Sequence, residues 1–219
     1  NHVAIGASVV REKVFVQHQT ALFADFAYAL PLTETDNLYL GIKAGGNLFN
    51  IDSSRFKTYN DQYDPYLQGV SGRFQPNVGV GAYYQQPRFY VGLSAPNLLA
   101  SDKTKVENEV VTSVAERISF YAQAGYFYPL TADFTLSPRA QAYINQKGDY
   151  QLNASAAVLY SDYVEAALGY RSDSAVNICA LFKVPKYHLS IGYGFETNVD
   201  NNVGASVRNF HEFMLKVYW

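Results

Sequence analysis

The side chains that could do chemistry here are few and scattered. His2, His18, His188 and His211 include no pair at metal-ligand spacing. In the closing stretch HEFMLKVYW, His211 and Glu212 are chain neighbours, and an extended backbone sends neighbours to opposite faces, so they form no acid–base dyad. Cys179 is the single cysteine, which excludes an intrachain disulfide and a thiolate zinc cluster; it reads as a structural residue on the inward face of its strand. The glycines of GRFQPNVGVG, residues 72–81, do not lead from a strand into a helix, so they make no phosphate loop. No catalytic residue, metal ligand or cofactor is expected, and the chain is not expected to be an enzyme.

Two sets of residues keep binding potential. Lys43, Arg139, Glu165, Arg171 and Lys216 fall on one side of their segments. They read either as ion pairs filling a narrow lumen with water, or as the lining of a conduit or plug-binding surface. Arg55, Tyr59, Tyr63, Tyr66 and Phe74 lie in the long segment 52–75 and are types that anchor protein interfaces, a solvated loop being the other reading. Arg171 with Asp173, near a tight turn, reads as a solvated cap.

The elements that position these residues are strands. Tyr150, Leu152, Ala154, Ala156, Val158 and Tyr160 alternate with Gln151, Asn153 and Ser155. Phe134, Leu136, Ala140, Ala142 and Ile144 alternate with Thr135, Ser137, Arg139, Gln141 and Tyr143. Phe120, Ala122, Ala124 and Tyr126 alternate with Ser119, Tyr121, Gln123 and Gly125, and Leu189, Ile191, Tyr193 and Phe195 with His188, Ser190, Gly192 and Gly194. About twelve strands are expected, near 2–11, 17–30, 37–50, 77–85, 88–96, 115–128, 133–145, 149–160, 163–171, 175–183, 186–195 and 208–219. Most reach the ~9–11 residues that a tilted strand needs to cross a bilayer.

The connections sort by parity. Those after even-numbered strands are short, such as PLTETD at 31–36 and PLTA at 129–132. The long ones, 51–76, 97–114 and 196–207, all follow odd-numbered strands. That segregation is the layout of an antiparallel up-and-down outer-membrane barrel. The four apolar faces just described, and that of HEFMLKVYW, carry no Lys, Arg, Asp or Glu, as lipid demands, while Asp25, Lys43, Arg117, Arg139, Glu165, Arg171, Lys183, Glu212 and Lys216 sit on opposite faces. Tyr126, Tyr128, Tyr150, Tyr160, Tyr170 and Trp219 gather near strand ends as an aromatic girdle. Pro138, mid-strand on the apolar face, predicts a bulge or a register shift. Four of the glycines, Gly79, Gly81, Gly192 and Gly194, read as making room for inward Tyr and Arg side chains or as bending the wall. The regular final strand fits a wall whose every backbone group must be paired.

Composition agrees. The 219 residues are 16% aromatic, with 19 Tyr and 14 Phe, and only 16% charged. Mean hydropathy is -0.13, and no window approaches the ~20 apolar residues of a spanning helix. A net charge of -2 with interspersed signs excludes a nucleic-acid surface. The chain is expected to be one domain over 1–219, a processed or truncated piece of a longer protein whose N-terminal part is missing.

One stretch has a sharper signature. In PNVGVGAYYQQPRFYVGLSAPNLL, Pro76, Asn77, Gly79, Gly81, Tyr83, Tyr84, Phe89, Tyr90, Gly92, Leu93, Ser94, Pro96, Asn97 and Leu98 resemble the hairpin of the PorP/SprF family of Bacteroidota outer-membrane proteins. LYLGIKAGGNLF, Leu38–Phe49, and HEFMLKVYW are similar to two further strands of that family. The resemblance implies a barrel of about fourteen strands, two of them preceding this chain, which keeps the even count of such barrels. It implies a non-enzymatic role in type IX secretion and gliding motility, supporting export or surface retention of a large cargo protein. Outer-membrane lipid, other secretion components and a periplasmic lipoprotein or peptidoglycan-binding protein are the partners it implies. The competing reading is an outer-membrane pore or transporter for a small solute.

Overall fold

The computed structural model describes residues 2–14, 17–51, 73–99, 101–107, 110–161, 163–199 and 209–217. They are all-β and antiparallel. In chain order the strands are β1 (Val3–Val14), β2 (Gln17–Pro31), β3 (Asn37–Ile51), β4 (Arg73–Gln85), β5 (Phe89–Asn97), β6 (Ser101–Glu107), β7 (Val110–Glu116) and β8 (Ser119–Tyr126). There follow the two-residue β9 (Tyr128–Pro129), β10 (Phe134–Asn145), β11 (Tyr150–Tyr160), β12 (Val164–Arg171), β13 (Ala175–Val184), β14 (Leu189–Asn198) and β15 (Asn209–Val217). A 3-10 turn, Pro185–Tyr187, precedes β14. Thirteen strands share one sheet whose order follows the chain, with β1 and β15 at its ends and β9 attached to β10; β6 and β7 form a separate hairpin. No helix among the described residues is long and apolar enough to cross a membrane, which says nothing of strands.

Two compact units divide these residues. The first draws on Asn1–Leu32, Leu38–Ala82 and Ser94–Phe120. In it β1 pairs β2 from Val3↔Tyr28 to Val14↔Gln17 without a slip. One side of that pair carries Val3, Ile5, Ala7 and Val9 against Tyr28, Phe26, Ala24 and Leu22, and ends beyond them in Arg11 and Lys13. The other side carries Gly6 opposite Asp25. The β6–β7 hairpin also belongs here, for the most part in the segment 97–114 that the sequence reads as a loop. Its strands, SDKTKVE and VVTSVAE, are rich in β-branched residues but carry charge, so they lack the uncharged face by which the other strands are recognised.

The second unit draws on Thr33–Asn37, Tyr83–Leu93 and Tyr121–Trp219. Its β10–β15 run is a continuous antiparallel meander. Register places Phe134 opposite Tyr160, Leu136 opposite Val158, Ala140 opposite Ala154 and Ile144 opposite Tyr150, the apolar face read from the sequence. β11 alternates exposed and covered residues almost throughout its 11 residues, and the exposed set is the apolar one. The same inversion recurs: Phe213 is 82% exposed and Ile5 81%, whereas the buried apolar residues among those described are Phe49, Ala95, Ala157 and Ala175. Large apolar side chains exposed in rows, with nothing among the described residues packed over them, call for a solvent other than water.

Pro138 behaves differently from expectation. Its pairing with Ala156 leaves the β10–β11 register unshifted. Bonds from Asn145 N to Asp149 O and from Ser161 N to Asp133 O put the hydrogen-bonded pairs of this ladder at odd positions of β10, so Pro138 needs no donor toward β11. Its nitrogen faces the other side, and there the strand is interrupted at Phe127, between β8 and β9. The lost donor breaks that ladder instead of bulging the strand. Other boundaries also move: β4 starts at Arg73, and the 3-10 turn delays β14 to Leu189.

Two short turns share the letters PLT. In each a proline closes a strand and the threonine hydroxyl accepts from two backbone amides, Thr33 Oγ1 from Thr35 and Asp36, Thr131 Oγ1 from Asp133 and Phe134. The Asp36 carboxylate accepts from the Thr35 hydroxyl at 2.9 Å, Gln86 at 3.1 Å and Tyr84 at 3.3 Å. These bonds, the Thr35 hydroxyl foremost, hold its pKa below the usual aspartate range. A lowered folded-state pKa contributes stability above the unfolded value that is lost as pH falls, so the turn is expected to loosen below about pH 4. Asp36→Asn should remove that acid-dependent part of a urea-unfolding series, and an unchanged pH profile would refute the assignment.

Candidate functional site

The polar face of the second unit holds most of the charges singled out from the sequence. Arg139 on β10 and Glu165 on β12 are separated by β11 and stand four residues apart along it, opposite Ser155 and Leu159. Only long side chains span that, and the Arg139 guanidinium reaches the Glu165 carboxylate at 2.7 Å. Arg139 Nε also donates to Ser137 Oγ at 3.1 Å. Register puts Ala157 of β11 between Ser137 and Ala167, next to the rows of Arg139 and Glu165, and it is fully covered. With both side chains partly shielded, a double-mutant cycle of Arg139→Met and Glu165→Gln is expected to give a coupling of about 1 kcal/mol. Additive effects would show that the pair does not hold β10 and β12 together.

The second bridge lies higher on the same face. Arg171 Nε donates to Asp173 at 2.7 Å and its Nη1 to Glu196 on β14 at 2.8 Å, crossing β13 at the fully covered Ala175. Asp173 also accepts from Gln151 at 3.2 Å, and its pKa is lowered, chiefly by the Arg171 hydrogen bond. The pair read as a solvated cap is thus half of a cross-strand bridge. Glu196 escapes a reading that ends the strand at residue 195, although it continues the phase of Ser190, Gly192 and Gly194. The Asn153 amide donates to Gln141 Oε1, and its own oxygen is buried without a partner.

The remaining sequence-predicted residues are not gathered with these. Lys43 belongs to the first unit, on the covered side of β3, with its ammonium 4.1 Å from the Phe23 ring centre. Lys216 stands opposite Ser190, in a row shared with neither bridge. Arg55, Tyr59, Tyr63 and Tyr66 lie outside the described residues. Phe74 is described and corrects its assignment: it is on strand β4, 54% exposed, in phase with Val78 and Val80 on the apolar side. Cys179 shares the polar face but is exposed, because its cross-strand neighbours Ala167 and Gly194 are too small to cover it. Among the described residues no group of His, Cys, Asp and Glu could hold a metal ion.

The hairpin signature resolves into packing. Asn77, 1% exposed, accepts from the amides of Val78 and Leu99 through Oδ1 and donates to Leu99 O, clamping the end of β5 to β4. A Cβ on Gly79 would lie 2.6 Å from the Pro96 carbonyl oxygen, so the strands approach where no side chain fits. Toward the short turn, Tyr83 and Tyr90 pair at 5.5 Å and Tyr84 meets Phe89 at 5.8 Å. Glycines that make room for side chains here include Gly92, against Gln123 and Tyr83, and Gly125, under Tyr90. Gly192 abuts Met214 and Leu181.

A family model described as type IX secretion system membrane protein PorP/SprF matches residues 1–217. No curated protein matches the chain.

Proposed function

From the premise that this chain belongs to the PorP/SprF family of type IX secretion system membrane proteins, we propose that it is a non-enzymatic outer-membrane barrel supporting export or surface retention of a dedicated cargo protein. The family is one of secretion-system membrane proteins and not of enzymes. The observation that carries the reading is the outward row of uncharged side chains along β10–β15, which suits hydrocarbon and no aqueous surface. In this reading residues 1–219 are a single barrel domain in which the free edges of β1 and β15 are paired, because an open edge is not tolerated in lipid. The bridged polar face fills or lines the lumen, and the long connections, with Arg55, Tyr59, Tyr63 and Tyr66, face the partner. Type IX components, a large surface protein and a periplasmic lipoprotein or peptidoglycan-binding protein are the partners proposed.

Deleting the chain in its own cell should remove one large protein from the surface, read by mass spectrometry of surface-shaved peptides. An unchanged surface proteome combined with ion conductance in planar bilayers would replace this reading with that of a small-solute pore.

A further inference from the structure

On the polar face of the second unit, residues two strands apart are joined across the strand between them. Arg139 meets Glu165 over β11, and Arg171 meets Glu196 over β13. Both bridges run diagonally, out of row by four residues along β11 and by two along β13; on β13, β14 and β15 two further charges stand two strands apart, here without an offset. Lys183 stands opposite Ser190, and Ser190 opposite Lys216, so the two lysines share one row. Here both ends are cations. The residue between them is Ser190, 3% exposed, which offers a hydroxyl; Ala157 lies between the rows of the first bridge, and Ala175 and Asn177 stand opposite the two ends of the second.

Nothing among the described residues neutralises the row. Neither lysine has a carboxylate of the described residues within ion-pair distance. Glu165, opposite Leu181 in the next row, is taken by Arg139. Glu212 is separated from Lys216 on its own strand by Met214, and stands opposite Gly194. Like charges in one row oppose the sheet that presents them, and the two matched bridges show how this face otherwise disposes of charge.

The geometry points to an external oxyanion that completes the third bridge. Two ammonium groups and one hydroxyl supply donors for a group with about two negative charges and three acceptor oxygens, which is a phosphate; one carboxylate would leave an ammonium unmatched. The row is the last on β13 before the Pro185–Tyr187 turn, so the anion enters from the short-turn end. Its source is free phosphate or the phosphate of a lipid headgroup. The inference stands on this row alone and is independent of the secretion role.

Calorimetric titration of the full chain in phosphate-free maltoside micelles, at constant ionic strength in chloride, tests it. Inorganic phosphate is one probe and short-chain phosphatidic acid the other. Saturable binding of phosphate supports a free-anion site, and binding of phosphatidic acid alone supports a headgroup site. In either case Lys183→Gln or Lys216→Gln should weaken binding about tenfold, and Lys183→Arg should restore it. Binding of neither probe, or equal binding by glutamine variants of unchanged strand content, overturns the proposal. A second measurement needs no variant: phosphate must slow acylation of Lys183 and Lys216 but not of Lys186 on the turn. Equal reactivity of all three in phosphate and chloride would also overturn it.

Discussion

Ala180→Arg is expected to destabilise the protein in a bilayer by about 2–4 kcal/mol, while Cys179→Arg, one residue away, leaves it within about 0.5 kcal/mol. The two positions are chain neighbours in the middle of β13, so their pairing, depth and strand propensity are nearly the same. They differ in face. Ala180 shares the side of Ile178 and Phe182, which are 53% and 54% exposed. Cys179 shares the side of Lys183 and stands in the row of Gly194 and Glu212. A guanidinium at 180 must enter hydrocarbon or distort the wall to escape it. At 179 it meets water and has Glu212 two strands away, the same separation that Arg139 and Arg171 already span. Urea unfolding in phospholipid vesicles reads the difference. Equal effects at both positions would mean that the uncharged side does not face lipid, and the barrel would fall with it.

Gly79→Ala is the second large effect, expected at about 2–3 kcal/mol or failure to insert. The added Cβ would lie 2.6 Å from the Pro96 carbonyl oxygen and 2.8 Å from its Cα. Both are backbone atoms, so no rotamer change relieves the contact; β4 and β5 would have to part, and the Asn77 clamp on Leu99 with them. Gly125→Ala provides the contrast. Its Cβ would meet the Tyr90 ring at 2.5 Å, the mobile part of a side chain. Combining it with Tyr90→Ala should recover most of what the single change loses, whereas no side-chain substitution at 96 should rescue Gly79→Ala. Strand content and heat-modifiable gel migration distinguish the cases; rescue at position 96 would show that the approach is set by side chains.

These effects separate what was readable early from what was not. The alternation of β11 is visible as letters, because a strand's side chains reverse face at every residue whatever surrounds it. The same rule places Arg139, Glu165, Arg171, Lys183 and Lys216 opposite the uncharged side of their strands without reference to pairing. It failed at β6 and β7, where charged residues hide the strands, and at Pro138, where the consequence depends on which neighbour its nitrogen faces. Phe74 reads from the sequence as part of the segment 52–75, whereas β4 starts at Arg73 and runs through it.

The amino-acid order alone thus determined the antiparallel all-β class, the uncharged side and the identity of the charges opposite it, since period two and the cost of charge in lipid act residue by residue. Only the tertiary structure decided which charges meet. Arg139 finds Glu165, and Arg171 finds Glu196, because register sets residues from alternate strands within reach of each other, while Lys183 and Lys216 are placed in one row with Ser190. Register is a property of pairs of strands, and no single strand's letters contain it.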